Sequence, residues 1–530
     1  MNFYKDVKMK KCLLCLLVIV LPFNSMAKTV YPLYAISADY TPLTSEDAKI
    51  IAQNFRLFRA VRLKKAEIDA LHSINPQLKT LFYINSGSSF AITARYFETN
   101  YRTQISMYSI ATLASKINRT QIIFKLKPDT NTPIPLKKST MEGDFSENNK
   151  KYVIWIRIDN ELMKVLNFNQ TTHEIKVARG FSGSTPSAHA VNASVFTTVY
   201  VQRRAIPDGT DSLNRLRYSI DVASPFAIKW LVDQTYQAVT ELNYDGVWFD
   251  VFSANNFNHY NMYGKGVPFM WDFNKKAYAK REEKRELQEI RLNAVQNKLI
   301  DILKKLPPIF ANRMAAGQYW PGLGNTRLLL MPTQVKPRPL AGYCIENFAG
   351  FVNGRGNRPR YRIGNSWIRY MKMLMDASQK GLVALPMVAD AGGWSTEIEP
   401  AGPIRDAFET YAYASFLIAV EKNSKIMLGI PAYYFYTDQK ERKAWLHPRY
   451  SWPIGLPTET QAPENILNYQ PKGHVIFMRH FDNGLALVNP TNQSDAIKFG
   501  TSYYDPDTRQ TINSITMAPQ TGKVLLKSRP

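Results

Sequence analysis

Cysteine is nearly absent from this 530-residue chain: three occur, and two of them, Cys12 and Cys15, fall within the first 27 residues. Those residues read as a secretory leader. A basic start from Lys5 to Lys11 precedes an apolar run over 12–23, and small residues Ser25 and Ala27 precede a predicted cut before Lys28. Neither leader cysteine follows the small-residue pattern at which a lipoprotein is cut and acylated. Processing then leaves Cys344 alone, which excludes an intrachain disulfide and leaves stability to burial, for which a chain of about 500 residues is ample. Long apolar runs are also lacking. The leader's run is about a dozen residues, short of the roughly 20 that span a bilayer, and no later stretch is longer. A soluble mature protein, secreted or periplasmic, is expected.

Seven histidines show no paired ligand spacing, so no metal site is predicted. There is no Walker loop and no Gly-x-Ser-x-Gly elbow, and no cofactor is expected. Acidic residues are scarce. Asp plus Glu number 43 against 67 Lys plus Arg, for a net charge of +24. Such a field favours anionic partners, among them acidic polysaccharide, nucleic acid and a cell envelope; the plainer reading is a host whose secreted proteins are basic. No nucleic-acid motif accompanies the charge, so no nucleic acid is expected as partner.

What is present is strand–helix alternation. Apolar β-rich segments at 34–37, 58–61, 81–85, 246–250, 309–312, 343–346, 384–388 and 425–428 are interleaved with helical stretches at 45–55, 64–73, 225–242, 275–305, 363–379 and 404–421. Eight repeats predict an α/β fold, a (β/α)₈ TIM barrel spanning 28–85 and 212–460. The slot between Asn312 and Tyr343 is Gly- and Pro-rich and carries no clear helix. Between the third and fourth strands, 86–211 reads as an inserted β-rich module with strands at 152–158, 162–166, 174–178 and 194–201. The last 70 residues, 461–530, hold short strands around Asn489-Pro490 and Asp505-Pro506 turns, which predicts a C-terminal antiparallel β-sandwich.

In such a barrel a charge at the carboxyl end of a strand faces the mouth rather than the core. Asp250 closes the fourth strand in Asp245-Gly246-Val247-Trp248-Phe249-Asp250, and Glu346 closes the sixth. Paired carboxylates suit glycosidic cleavage, one protonating the leaving oxygen and the other activating water or attacking the anomeric carbon. The competing readings are a helix cap for Asp250 and a salt bridge for Glu346. Asp39, Asn85, Asn312, Arg313 and Asp390 also fall at strand ends, and Asp221 precedes a helix; all are candidate sugar-binding groups. Trp271, Trp320 and Trp394 lie in loops after strands four, five and seven, where a ring can stack on a sugar face, although burial is the commoner fate of tryptophan.

These segments, with Ile220-Asp221-Val222 and Pro225, Ile345-Glu346-Asn347-Phe348, and the run from Phe481 to Pro490, resemble putative glycoside hydrolases of the hypothetical glycosyl hydrolase group. That group looks distantly similar to endo-α-1,4-polygalactosaminidase-like enzymes. The resemblance implies a TIM barrel with acidic catalytic residues at strand ends, matched here by Asp250 and Glu346, and does not carry over the sugar. The insert departs from it: Ala178-Arg179-Gly180-Phe181-Ser182-Gly183-Ser184-Thr185 and His189 resemble small β modules of phage-tail-like proteins. The expected function is hydrolysis of a polysaccharide or oligosaccharide, an anionic one included. The alternative is a non-catalytic glycan-binding protein on the same scaffold. A polysaccharide deacetylase is disfavoured because no metal-ligand set is visible.

Overall fold

A computed structural model of the chain describes residues 31–36, 42–60, 63–86, 88–90, 107–128, 155–181, 184–198, 200–202, 216–219, 225–250, 252, 259–260, 266–267, 271–272, 277–278, 283–312, 329–334, 337–346, 348–353, 358–388, 403–421, 424–431, 433–435, 442–444, 446–459, 463 and 465–530. The predicted leader lies outside them. In chain order come β1 (Leu33–Ile36), α1 (Ser45–Asn54), β2 (Leu57–Ala60), α2 (Lys65–Ile74) and β3 (Lys79–Asn85). The insert supplies β4 (Met107–Leu113), β5 (Ile123–Pro128), β6 (Trp155–Ile158), β7 (Glu161–Phe168), β8 (Glu174–Ala178) and β9 (Ser194–Thr198). Alternation then resumes with α3 (Pro225–Thr240), β10 (Gly246–Asp250), α4 (Glu283–Leu303), β11 (Ile309–Ala311) and β12 (Gly342–Ile345). It ends with α5 (Gly364–Gln379), β13 (Ala384–Pro386), α6 (Pro403–Ala419) and β14 (Leu428–Pro431). Last come β15 (Phe477–Phe481), β16 (Gly484–Asn489), β17 (Asp495–Asp505), β18 (Gln510–Met517) and β19 (Thr521–Leu526).

Eight strands form one parallel sheet in the order β13-β12-β11-β10-β3-β2-β1-β14. A parallel bridge between Met387 and Gly429 brings its two ends together, and the Val388 amide donates to the Gly429 carbonyl at 2.9 Å. The lumen is filled by side chains. Tyr34, Leu57, Leu81, Trp248, Phe310, Cys344 and Leu385 make one buried cluster, while the alternate residues of the same strands pack outward against the helices. Gly429 is required here, because a Cβ at that position would lie 2.1 Å from the Tyr34 ring.

Helix α4 begins at Glu283, later than the predicted 275, because Ala277 and Tyr278 pair with Trp271 and Asp272 in a short ribbon. The eighth strand runs Leu428–Pro431 rather than 425–428: the apolar run continues through buried Ile430, and pairing from Leu33↔Leu428 to Ile36↔Pro431 fixes its register. Most of the slot between Asn312 and Tyr343 lies outside the described residues; the described stretches 329–334 and 337–341 contain no α-helix.

The insert is a closed six-stranded antiparallel barrel in the order β9-β4-β5-β8-β7-β6, with its own apolar core. β4 and β5 were not anticipated. The signal was present in β5, whose residues alternate exposed and buried from Ile123 to Lys127. The expected C-terminal strands are all present in one hydrogen-bonded sheet, β15-β16-β19-β17-β18; a second sheet facing it is not among the described residues. This sheet lies against α6 so closely that a Cβ at Gly522 would sit 2.7 Å from the Tyr411 Cα.

The Arg179-Gly180 segment wraps the buried carboxylate of Glu161. Arg179 donates to both of its oxygens at 2.7 Å, the amides of Ser187 and Gly180 donate at 2.9 and 3.1 Å, and His189 Nε2 lies 2.9 Å away. Burial works against the charge, but these donors prevail and hold the carboxyl down to about 2. An unfolded glutamate titrates at about 4.3, so the stability this carboxylate contributes is complete above that value and is lost as pH falls towards about 2. Thermal melts between pH 6 and pH 2 should show this acid limb, and Glu161→Gln should lower neutral stability and flatten it. An unchanged limb in the variant would assign the acid sensitivity elsewhere.

Candidate active site

Successive side chains of a strand alternate between faces, so residues two apart share the lumen. On β10 this sends Trp248 and Asp250 inward and Val247 and Phe249 outward. The same parity turns Arg59 of β2 and Tyr83 of β3 inward, and carries Asn312, after β11, and Glu346, after β12, to the carboxyl end of the barrel. The other aspartate of the same motif, Asp245, serves the opposite end. It accepts from Lys79 Nζ at 2.9 Å and the Thr80 amide at 2.8 Å, with His72 Nε2 at 3.1 Å. Although burial disfavours its charge, His72, the Thr80 amide and Lys79 outweigh that and hold its carboxyl well below the usual range.

At the mouth, one side chain joins the two predicted carboxylates. The Asn312 Nδ2 amide donates to Asp250 Oδ1 at 2.8 Å and to Glu346 Oε1 at 3.0 Å. The Tyr83 hydroxyl donates to the other oxygen, Asp250 Oδ2. Asp250 is 6% exposed and Asn312 is buried, while Glu346 is half-buried. The backbone beneath Asp250 is fixed as well. Its carbonyl accepts from the Ser86 amide at 2.9 Å and the Ser86 hydroxyl at 2.7 Å, and Arg291 of α4 donates to the Ser86 carbonyl.

The Arg59 guanidinium lies 5.0 Å over the Tyr83 ring and 5.6 Å over the Trp248 ring, placing a buried cation inside the barrel near the acidic pair. Cys344 is buried one step below Glu346, with the Tyr34 hydroxyl 3.5 Å from its sulfur. Burial pushes that thiol well above its ordinary range, and the charges of Glu346 and Asp250 add to the shift. Among the described residues no group of three or more His, Cys, Asp or Glu side chains could hold a metal ion.

Of the candidate sugar-binding residues, Asn312 is the one brought to the carboxylates. Asn85 sits opposite Asp250 in the β3–β10 register, and Trp271 lies in the short ribbon with Tyr278, but the described structure does not extend to either side chain. Asp39, Asp221, Arg313, Trp320, Asp390 and Trp394 lie outside the described residues. Tyr83, Arg59, Ser86 and Arg291 were not anticipated. Parity with Asn85 could have found Tyr83. An arginine inside the apolar strand Leu57-Phe58-Arg59-Ala60 was the signal for the cation.

No family model matches the chain, and no curated protein matches it. Solved structures match loosely. The glycoside hydrolase domain of PelA from Pseudomonas aeruginosa is 12% identical, with 78% of this chain and 97% of that one covered and a TM-score of 0.36. The maltogenic α-amylase AmyB of Thermotoga neapolitana is 9% identical over 94% of this chain and 97% of that one, also at 0.36. Pyruvate kinase of Cryptosporidium parvum matches at 7% identity over 76% and 66%, with a TM-score of 0.30. The carboxylate pair, rather than these likenesses, bears on function. No helix among the described residues is long and apolar enough to cross a membrane.

Proposed function

We propose that this chain is a secreted glycoside hydrolase that cleaves a polysaccharide, with Asp250 as nucleophile and Glu346 as general acid and base. The observation that carries the reading is the single amide of Asn312 donating to both carboxylates. The two bonds, 2.8 and 3.0 Å, share one nitrogen, so the acceptor oxygens stand less than about 6 Å apart. That matches the ~5–5.5 Å of retaining glycosidases rather than the ~6.5–9.5 Å of inverting ones. Asp250, held at both oxygens by Tyr83 and Asn312, is positioned as a nucleophile must be. Glu346 is half-buried and can exchange its proton with water.

In the first step Asp250 attacks the anomeric carbon while Glu346 protonates the departing glycosidic oxygen, leaving a glycosyl ester on Asp250 and a free alcohol. In the second, the Glu346 carboxylate takes a proton from water, the hydroxide displaces Asp250, and the sugar is released. The motif resemblance to the hypothetical glycosyl hydrolase group, and more distantly to endo-α-1,4-polygalactosaminidase-like enzymes, agrees with this reading. Export belongs to the proposal too, and an intact mass beginning at Lys28 is the expected result for secreted material.

Two displacements at one carbon retain its configuration. Proton NMR of the first product, on a glycan found by screening a polysaccharide panel, should show the anomer of the substrate before mutarotation. The opposite anomer would remove Asp250 from the nucleophile role and leave a single-displacement hydrolase.

A further inference from the structure

We propose that the outer face of β5, β8 and β7, on the inserted barrel, is a docking surface for a carboxylated polysaccharide. On β5 the core takes Phe124 and Leu126 and leaves Ile123, Lys125 and Lys127 exposed; on β8 it takes Ile175 and Val177 and leaves Lys176 exposed. Register lines these up: Lys176 sits opposite Ile123 on one side and Asn167 of β7 on the other, with Lys125 in the adjacent row opposite Glu174. Neighbouring positions on such a face are about 5 Å apart across strands and about 7 Å apart along them. The three cations thus run along one face, Lys125 and Lys176 on a diagonal and Lys127 one step further along β5, with the Glu174 carboxylate beside Lys125. None of the three makes an ion pair among the described residues.

Apolar groups share the surface. Of the eight large apolar side chains that stand exposed among the described residues, four belong to this small barrel, and Ile122, Ile123 and Leu166 border the lysines at 44–51% exposure. A pyranose presents an apolar C–H face, and a uronic acid adds a carboxylate at its edge, so aliphatic groups interleaved with ammonium groups complement it. A single-stranded nucleic acid calls instead for aromatic stacking platforms, and the exposed groups here are aliphatic. The insert leaves the barrel after β3, whose last residue Asn85 is in register with Asp250, so chain connectivity starts this module at the catalytic mouth.

The test uses the full mature chain and polygalacturonate, titrated at low salt, with neutral dextran and duplex DNA as comparisons. Binding to polygalacturonate should weaken as salt rises. The triple variant Lys125→Gln, Lys127→Gln, Lys176→Gln should weaken it at least about tenfold, because clustered charges act together at a surface. A control triple, Lys298→Gln, Lys305→Gln, Lys372→Gln, removes the same charge from exposed positions on α4, just after it and on α5, and should change binding little. Leu166→Ser should weaken binding with the lysines intact, and Asp250→Asn should bind as the parent does, which separates this surface from the catalytic reading. Equal losses in the two triples would reduce the effect to net charge. Equal affinity for dextran would remove the role of the carboxylates, and tighter binding of DNA would replace the polysaccharide with nucleic acid; each of these outcomes overturns the proposal.

Discussion

Asp250→Asn is expected to lower turnover by roughly 10²–10⁴-fold or more, with little change in melting temperature. The amide keeps the shape of the carboxylate and can still accept from Asn312, so the mouth stays filled. What it loses is the charge and lone pair that form the glycosyl ester. Glu346→Gln should match it on substrates with poor leaving groups, because among the described residues Glu346 is the carboxylate that shares the Asn312 amide with Asp250. Tyr83→Phe should fall between these variants and the parent, since it removes one hydrogen bond to Asp250 Oδ2 and leaves the Asn312 bond in place. Rate and melting temperature measured on the same preparations decide the matter: a carboxylate serving only as cap or ion pair would show its loss in stability.

Arg479→Ala should have the largest effect on stability. This side chain is 2% exposed on β15 and ends at the last turn of α6, where Nη1 donates to the carbonyls of Leu417 at 2.8 Å, Ile418 at 3.1 Å, and Val420. Nε donates to Glu459 at 2.7 Å, and the Tyr469 hydroxyl donates to the same carboxylate oxygen. A guanidinium therefore satisfies carbonyls that a helix terminus leaves without intrahelical partners, and ties the C-terminal sheet to the barrel. Truncation leaves several buried carbonyls without this donor and takes the cation from the Glu459 carboxylate, which keeps only Tyr469 of these partners, for which the expected cost is about 3–5 kcal/mol. Chemical denaturation of the parent and of Arg479→Ala measures it. A change within about 0.5 kcal/mol, the range of an ordinary surface substitution, would mean that water replaces the arginine.

The barrel was legible because its strands are short apolar runs spaced by amphipathic helices, and a parallel sheet buried on both faces leaves that pattern plain. Strand ends followed from it, so Asp250 and Glu346 could be placed at one mouth from the sequence, and Asn312 with them as a sugar contact. Its bridging position was not legible, because it depends on how far apart β10, β11 and β12 stand at their ends. Tyr83 and Arg59 were missed for another reason. Within a strand, parity decides which side chains reach the lumen, and parity was not carried back from Asn85 or from Leu57. The Arg179, Gly180 and His189 segment was legible as a motif but not as a structure, since the carboxylate it encloses, Glu161, lies on another strand.

The most direct test is the appearance of new reducing ends when the pure mature protein is incubated with a panel of polysaccharides. Shorter glycans should accumulate from at least one polymer with the parent protein, and neither Asp250→Asn nor Glu346→Gln should produce them at a comparable rate. A protein that binds a polymer in that panel yet leaves its chain length unchanged would contradict the account and make the barrel a glycan-binding scaffold.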